Sequence, residues 1–317
     1  MSAHPAPRVP RLVVVVGPTA TGKSDLAVAL AGMLAADVVN ADALQLYRGM
    51  DIGTAKLPVE ARRGIPHHLL DVLEVTQEAS VASYQRHALA LVDQAAAAGR
   101  GTVLVGGSGL YVSAVVDRLQ IPPTDPELRV RLEAELAEVG SDALHRRLEG
   151  ADPEAAGRIL PSNGRRLVRA LEVIELTGGP FRAALPAAVP RPGCTVIGLT
   201  ARRELLDARI ADRAEAMWAG GLVDETRALL DRGLAGGRTA ARALGYAQVI
   251  RFLAGELDRD QARQDTIRAT RRFARRQESW FRRDPRICWL PFDAPDLPAL
   301  ALAAVLAADR PAPGAPG

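Results

Sequence analysis

The chain has 317 residues, 48% hydrophobic and 24% charged, with a formal net charge of +3. Its length suits about two domains, or one core with a large insertion, and its composition is that of a soluble globular protein. No apolar run reaches transmembrane length and the first eleven residues carry no hydrophobic signal core, so membrane-spanning and secreted classes are excluded and a cytoplasmic setting is expected.

In chain order, residues 1–10 read as a flexible tail. Leu12–Val16 is an apolar, mostly β-branched run with no polar alternation, as expected of a strand buried on both faces of a parallel sheet. It breaks into Gly17-Pro18-Thr19-Ala20-Thr21-Gly22-Lys23-Ser24, a full G-x-x-x-x-G-K-[ST] match. Glycine lets the backbone turn its N–H groups inward, and a helix starting near Lys23 adds its positive dipole end. The stretch reads as a cradle for the phosphates of a nucleotide such as ATP or of another diphosphate, with Lys23 reaching the terminal phosphates and Ser24 holding a magnesium ion.

Asp37–Asp42 reads as a second strand that ends in an acid, followed by a polar loop from Gln45 to Pro58 and a short element at Leu69–Val72. Ser80–Ala98 has helical apolar spacing. Thr102–Val105 is another buried strand and runs into the glycine-rich turn Gly106-Gly107-Ser108-Gly109. This alternation marks a parallel α/β sheet, and such a turn lies at the carboxyl edge where ligands bind.

From residue 121 the signals are helical only, at Leu128–Glu138, Asp142–Glu149, Pro153–Ile159 and Arg165–Thr177. Residues 121–190 therefore read as an all-helical insertion between two parts of the core, 11–120 and 191–308, with Gly178–Gly193 as the linker back. Cys194–Thr200 resumes the sheet. Helices are expected at Glu204–Ala219, Leu222–Gly233, Arg238–Ala254 and Asp258–Arg283, then a last strand at Ile287–Pro291. No element is assigned from 292 to 308, and 309–317 reads as a second flexible tail.

Cys194 and Cys288 stand alone and the five histidines have no ligand spacing, so a disulfide framework and a zinc site are not indicated. Of 40 basic residues only Lys23 and Lys56 are lysines. A lysine that persists where arginine is general can mark a site that needs a compact ammonium; for Lys56, chance serves equally well. Between Arg259 and Arg286, ten arginines face four acids, with Phe273, Trp280 and Phe281 interleaved, which suits a polyanion surface or a solvated helix face.

The cradle by itself says phosphate, not reaction. Val103-Leu-Val-Gly-Gly ends in glycine rather than in the acid that would hold magnesium for nucleotide hydrolysis, and no Asn-Lys-x-Asp guanine reader is present. That leaves room for a pocket binding a diphosphate destined to depart. Position alone leaves Asp42 between a general base near the phosphates and a turn or capping residue, and Ser108 alone reads as turn chemistry.

Several stretches considered together narrow this. They are Gly17–Ser24, Asp42–Lys56 with its Asp-Ile-Gly-Thr-Ala-Lys string, Pro66–Asp71, Gly106–Tyr111, Arg165–Val173, Gly245-Tyr246 and Thr270–Phe281. In order and spacing they resemble the tRNA dimethylallyltransferase (isopentenyltransferase) family over residues 12–291. The resemblance implies an α/β fold, a P-loop NTPase-like parallel sheet core with the inserted all-helical subdomain. It implies transfer of a dimethylallyl group from its diphosphate to the exocyclic amine of the adenosine 3′ to a tRNA anticodon. Magnesium is the implied cofactor, tRNA and dimethylallyl diphosphate the partners, and a monomer the expected state, with no role for a membrane.

Carried onto this sequence, the resemblance gives Lys23, Asp42, Ser108 and Arg129 catalytic positions, Asp42 as base for the adenine amine. Gly17–Ser24, with Arg213, would hold the diphosphate. Asp42, Ala43, Leu44, Gln45, Ser108 and Arg129 would meet the target base; Arg165, Arg166, Leu167, Val168 and Arg169 would meet the anticodon stem-loop; and Arg272, Arg275 and Arg276 would extend the RNA surface. The family usually has Asp-Ser where this chain has Asp42-Ala43, and Thr where it has Ser108, and the zinc-finger extension of eukaryotic members is absent. The rival classes are a P-loop small-molecule kinase and an RNA-binding NTPase.

Overall fold

A computed structural model describes residues 12–117, 119–181, 191 and 193–308. The flexible tails expected at 1–10 and 309–317, and most of the 178–193 linker, lie outside the described residues. The described chain forms two compact units, one of residues 12–116 and those from 191 onward, the other of residues 117–181.

The larger unit is built on β1 (Leu12–Val16). Leu12, Val14 and Val16 enter one apolar core and Val13 and Val15 another, all at 1% exposure or less. A strand with a core on each face has no solvent side, which is why its sequence shows no polar alternation. There follow α1 (Lys23–Leu34), β2 (Asp37–Asn40), β3 (His67–His68), α2 (Val81–Ala97), β4 (Thr102–Val105) and α3 (Gly109–Val116). β3 precedes the element expected at Leu69–Val72, because Leu69 and Asp71 take positive φ (60° and 56°) and cannot extend a strand. The Gly-rich turn after β4 opens directly into α3, a helix the sequence reading did not assign.

The smaller unit consists of α4 (Pro126–Val139), α5 (Ser141–Ala151), α6 (Pro153–Arg158) and α7 (Gly164–Thr177). Leu128, Leu132, Leu144, Leu148, Leu167 and Leu171 form its core. Asp125 accepts the N–H groups of Glu127 and Leu128 with Pro126 at the first helical position, and Asp152 accepts that of Ala155 ahead of α6. Each Asp-Pro-Glu string is thus a helix start: the carboxylate satisfies orphan donors and proline presets φ.

The larger unit continues with β5 (Cys194–Thr200), α8 (Arg203–Ala219), α9 (Leu222–Asp231), α10 (Tyr246–Leu253), α11 (Arg259–Phe281), β6 (Cys288–Pro291) and α12 (Leu297–Ala308). The helix expected over Arg238–Ala254 is divided. Gly245, at φ +88°, separates a short 3₁₀ turn, Ala240–Arg242, from α10. α12, unassigned from sequence, covers the Val13/Val15 face with Ala301 and Val305.

The strands form one all-parallel sheet in the order β3-β2-β4-β1-β5-β6. The chain thus leaves β1 toward β2 on one side and later returns to its other side as β5. The crevice beyond the carboxyl end of β1 is where such sheets bind ligands. No described helix is long and apolar enough to cross a membrane.

A third core, including Tyr47, Met50, Trp218, Leu222 and Tyr246, anchors the long loop after β2. Two polar knots fix that loop. Glu225 on α9 accepts the backbone N–H groups of Asp51, Ile52 and Gly53 at 3.2, 2.8 and 3.3 Å and the Tyr246 hydroxyl at 2.5 Å. Gly53 has no room for a Cβ, which would stand 2.4 Å from the Tyr246 ring. The buried Lys56 ammonium donates to Tyr47 O, Asp51 and Asp71 at 2.9, 2.7 and 2.6 Å, so this second lysine serves the loop's shape and not the cradle. Glu225→Ala strips four donors of their shared acceptor and is expected to lower stability by about 2–4 kcal/mol. Urea unfolding checks this, and a loss below about 0.5 kcal/mol rules it out.

Candidate active site

The phosphate loop occupies residues 17–22, between β1 and α1. Gly17 adopts φ +136°, and a Cβ there would lie 2.6 Å from Leu199 O, so the first glycine is demanded by the neighbouring strand β5. Gly22, at φ +79°, is the left-handed residue that turns the loop into α1. The loop is internally tied: the Thr21 hydroxyl and the Lys23 ammonium both donate to Pro18 O, at 2.9 and 2.8 Å. Arg209 Nε donates to Ala20 O at 2.9 Å.

A cavity of about 440 Å³ opens beside this loop. Thr19, Ala20 and Gly22–Asp25 form one wall. Asn40, Asp42 and Gln45 beyond β2, Thr54, Ala55 and Leu57 from the knotted loop, Val105–Gly107 beyond β4, and Arg209, Asp212 and Arg213 of α8 complete it. Of the residues singled out from sequence, the cavity gathers Thr19, Ala20, Gly22, Lys23, Ser24, Asp42, Gln45 and Arg213. It also recruits Arg209 and Asp212, which the reading missed. Asp212 and Arg213 follow Arg209 at i+3 and i+4 on one helix, and that spacing is the signal that could have brought them in.

Asp42 sits in a hydrogen-bonded turn and also lines the cavity. Its Oδ1 accepts the Leu44 N–H at 2.9 Å, its own N–H donates to Asn40 Oδ1 at 2.9 Å, and the Asn40 amide donates to Asp42 O and Leu69 O. The turn is therefore pinned while the carboxyl faces the cavity. Burial raises the Asp42 pKa, against the opposing pull of the Leu44 and Gln45 amides and of Lys23 and Arg213. Lys23 is pushed the other way, down to about 8, chiefly by burial, with Asp42 opposing and Arg213 reinforcing the shift. Arg213 is itself lowered by burial, with Asp42 opposing. Lys23, Arg213 and the Asp42 carboxyl thus share a partly dry pocket at the head of a phosphate loop. Such a pocket can hold a diphosphate beside a group able to take a proton.

Ser108 lies outside the cavity lining. Its Oγ accepts the Ala43 N–H at 3.3 Å and its carbonyl receives the N–H groups of Tyr111 and Val112, opening α3. Ala43 packs on one core and Leu44 on another, so this pair borders the site by its backbone.

In the helical unit, Arg129 donates to Glu172 at 2.8 Å. Arg169 donates to the same carboxylate and to Pro122 O and Pro123 O, at 2.7, 2.9 and 2.9 Å. Glu172 is fully buried; burial alone would raise its pKa, but the hydrogen bonds from Arg129, Arg169 and the Asp125 N–H hold it below the usual range. The stretch expected to face RNA is accordingly divided. Arg165 and Arg166 are exposed, Arg169 ties down the 122–125 segment, and Leu167 and Val168, 0% and 3% exposed, belong to the helical core and present no side chain to a partner. On α11, Arg272, Arg275 and Arg276 are exposed on one face, while Ala274, Gln277 and Phe281 are buried on the other.

The fold and the site define a P-loop protein in which Asp42, Arg209 and Arg213 line the cavity at the cradle, and in which glycine follows the strand β4. The chain belongs to the IPP transferase family, whose model matches residues 45–284. A tRNA dimethylallyltransferase of Thermobifida fusca is 65% identical over 299 residues, 93% of this chain and 94% of that relative. One from Streptomyces coelicolor is 60% identical over 303 residues, 95% and 97% of the two chains. Among solved structures, the tRNA isopentenylpyrophosphate transferase of Bacillus halodurans superposes with a TM-score of 0.69 at 38% identity, over 95% of this chain and 98% of that one. A eukaryotic dimethylallyltransferase acting on tRNA shares the fold, with a TM-score of 0.81 at 21% identity over 96% and 81%.

Proposed function

We propose that this protein transfers a dimethylallyl group from dimethylallyl diphosphate to the exocyclic N6 amine of the adenosine at tRNA position 37, 3′-adjacent to the anticodon, and releases diphosphate. The observation that carries the reading is the convergence of Lys23, Arg213 and the Asp42 carboxyl on one cavity at the phosphate loop. The bond between the allylic carbon and the diphosphate oxygen breaks and its electron pair leaves with the diphosphate, where Lys23 and Arg213 offset the charge. N6 bonds to that carbon, and Asp42 takes the proton the amine gives up.

Ser24 lines the cavity together with the acids Asp25 and Asp212. Oxygen donors of this kind fit magnesium, which the Ser24 hydroxyl would hold with water and substrate phosphate oxygens. Bound there, the ion supplies further charge against the departing diphosphate. Asp42–Gln45, with Ser108 and Arg129, would address the target base. Arg165, Arg166, Arg272, Arg275 and Arg276 would grip the anticodon arm, as basic side chains do around an unstacked loop base. Cys194 and Cys288 are both thiols, which suits a reducing, cytoplasmic setting, and the reading is of a monomer.

A small-molecule kinase is disfavoured because no acid stands at the end of β4, and both rival classes are disfavoured by the names of the curated relatives. Unmodified tRNA incubated with dimethylallyl diphosphate is expected to yield an isopentenylated adenosine in its nucleoside mass profile. ATP-dependent phosphoryl transfer without that product would overturn the reading.

The pH profile gives a second test. kcat/KM for the diphosphate is expected to rise with pH through the raised pKa of Asp42, because only the carboxylate accepts a proton. It then falls as pH passes about 8, where Lys23 of the free protein loses its ammonium. Lys23→Arg keeps the charge at alkaline pH, so the falling limb is expected to move up in that variant; an unmoved limb assigns it to another group.

A further inference from the structure

α11 packs along the site with a run of side chains one turn apart. Ala274 joins Ala20 of the phosphate loop in a small apolar cluster, and Trp280 stands so close to Gly109 that a Cβ there would lie 2.4 Å from the indole. Between them Gln277, 5% exposed, reaches two loops at once. Its Oε1 accepts the Thr19 N–H at 2.9 Å, and its Nε2 donates to Gly107 O at 2.9 Å. Every polar atom of this buried amide side chain is therefore engaged, and both partners lie on loops that line the cavity.

The bond to Thr19 has a consequence beyond its own energy. A peptide group is planar, so holding the Thr19 N–H also fixes the direction of the Pro18 carbonyl on the same plane. That carbonyl is the acceptor for both the Thr21 hydroxyl and the Lys23 ammonium. Gln277 thus sets the peptide on which the lysine of the phosphate loop rests, while its other end holds the opposing Gly106–Gly107 turn at a fixed spacing.

Building on the proposed diphosphate-dependent reaction, we propose that Gln277 is the positioning residue of the diphosphate site: it acts through the Pro18–Thr19 peptide and Gly107 O, without touching substrate. Its function is to keep the loop in the shape that receives diphosphate and to hold Lys23 at the cavity. A helix whose outer face carries Arg272, Arg275 and Arg276 therefore shapes the phosphate loop with its inner face.

Two variants test this by independent routes. Gln277→Met keeps the volume and removes both hydrogen bonds. Gly107→Ala leaves α11 intact, but its Cβ would stand 2.1 Å from Gln277 Nε2 and displace the amide. Each is expected to weaken binding of inorganic pyrophosphate to the full chain about tenfold, by calorimetry, as losing a well-placed buried hydrogen bond does. KM for dimethylallyl diphosphate should rise with it more than kcat falls, and tRNA affinity should stay within about twofold of wild type, the margin of an undisturbed site. Because both act through one contact, the double variant is expected to be no weaker than the worse single one.

Unchanged pyrophosphate affinity in folded Gln277→Met protein, or fully additive losses, would overturn the proposal. If Gln277→Met does not fold, wild-type affinity in Gly107→Ala overturns it alone. A wild-type chain that binds no pyrophosphate overturns the site reading and this inference together, whereas one that binds pyrophosphate and tolerates both variants overturns only the inference.

Discussion

Asp42→Asn is expected to lower kcat for prenyl transfer about 10²- to 10⁴-fold, the usual worth of a positioned general base. Asparagine keeps the size of the side chain and an oxygen for the Leu44 N–H, so the turn held by Asn40 should survive. Only the proton acceptor is lost. Removing a negative charge that faces Lys23 and Arg213 should leave pyrophosphate affinity unchanged or tighter. Single-turnover assays with saturating tRNA separate the chemical step from binding. A variant with wild-type kcat would remove Asp42 from the reaction; one with normal chemistry but weakened tRNA binding would make it a base-recognition residue alone.

Replacing Arg272, Arg275 and Arg276 together with alanine is expected to weaken tRNA binding about ten- to a hundredfold at low salt. The slope of log affinity against log salt should become shallower by about two, from three lost phosphate contacts. Pyrophosphate affinity should not follow. The structure separates these arginines from their neighbours on α11. Arg263 pairs with Glu215, Arg271 donates to Asp207 O, and Arg282, just past the helix, stacks on Trp289 and reaches Thr200. Those side chains bind protein, and removing them should reduce stability more than RNA affinity. An unchanged salt slope in the triple variant would mean that RNA lies elsewhere.

The contrast among these arginines shows what a sequence carries and what it withholds. Ten arginines over four acids is legible as a charge excess, but which of them face solvent depends on partners far along the chain, such as Glu215 and Asp207 on α8. The same holds for the site. β1, the phosphate loop and β4 are legible because a doubly buried strand and a cradle are local patterns, and so the α/β class follows from them. Asp42 was legible as a strand-end acid. Gln277 was not: it acts on Thr19, 258 residues away, and a buried glutamine on an arginine-rich helix has no local signature. Glu225 was hidden in the same way, since its backbone donors sit 172 to 174 residues earlier. The Asp-Ile-Gly-Thr-Ala-Lys string was recognisable as a pattern before its cause was visible. That cause is the nest of N–H groups around Glu225 and the ammonium knot of Lys56. α12 escaped because alanine and leucine alternate through it without a polar face, so periodicity gives no period to read.

Gly17 lies against β5, and the loop it opens is held by Gln277 of α11. In a chain made from its N-terminus, the cradle is translated before the helical unit, yet the strand and the helix that shape it follow only after that unit has been made. Domains form as their segments emerge, and parallel pairings between distant strands come late. The emerging chain therefore carries its phosphate-binding residues long before it carries a phosphate-binding site. Chains halted before Cys194 are expected to show no affinity for pyrophosphate, a result that released nascent fragments can check. Maturation of the pocket thus waits for β5 and α11, and a chain that stops short of them is expected to hold no substrate.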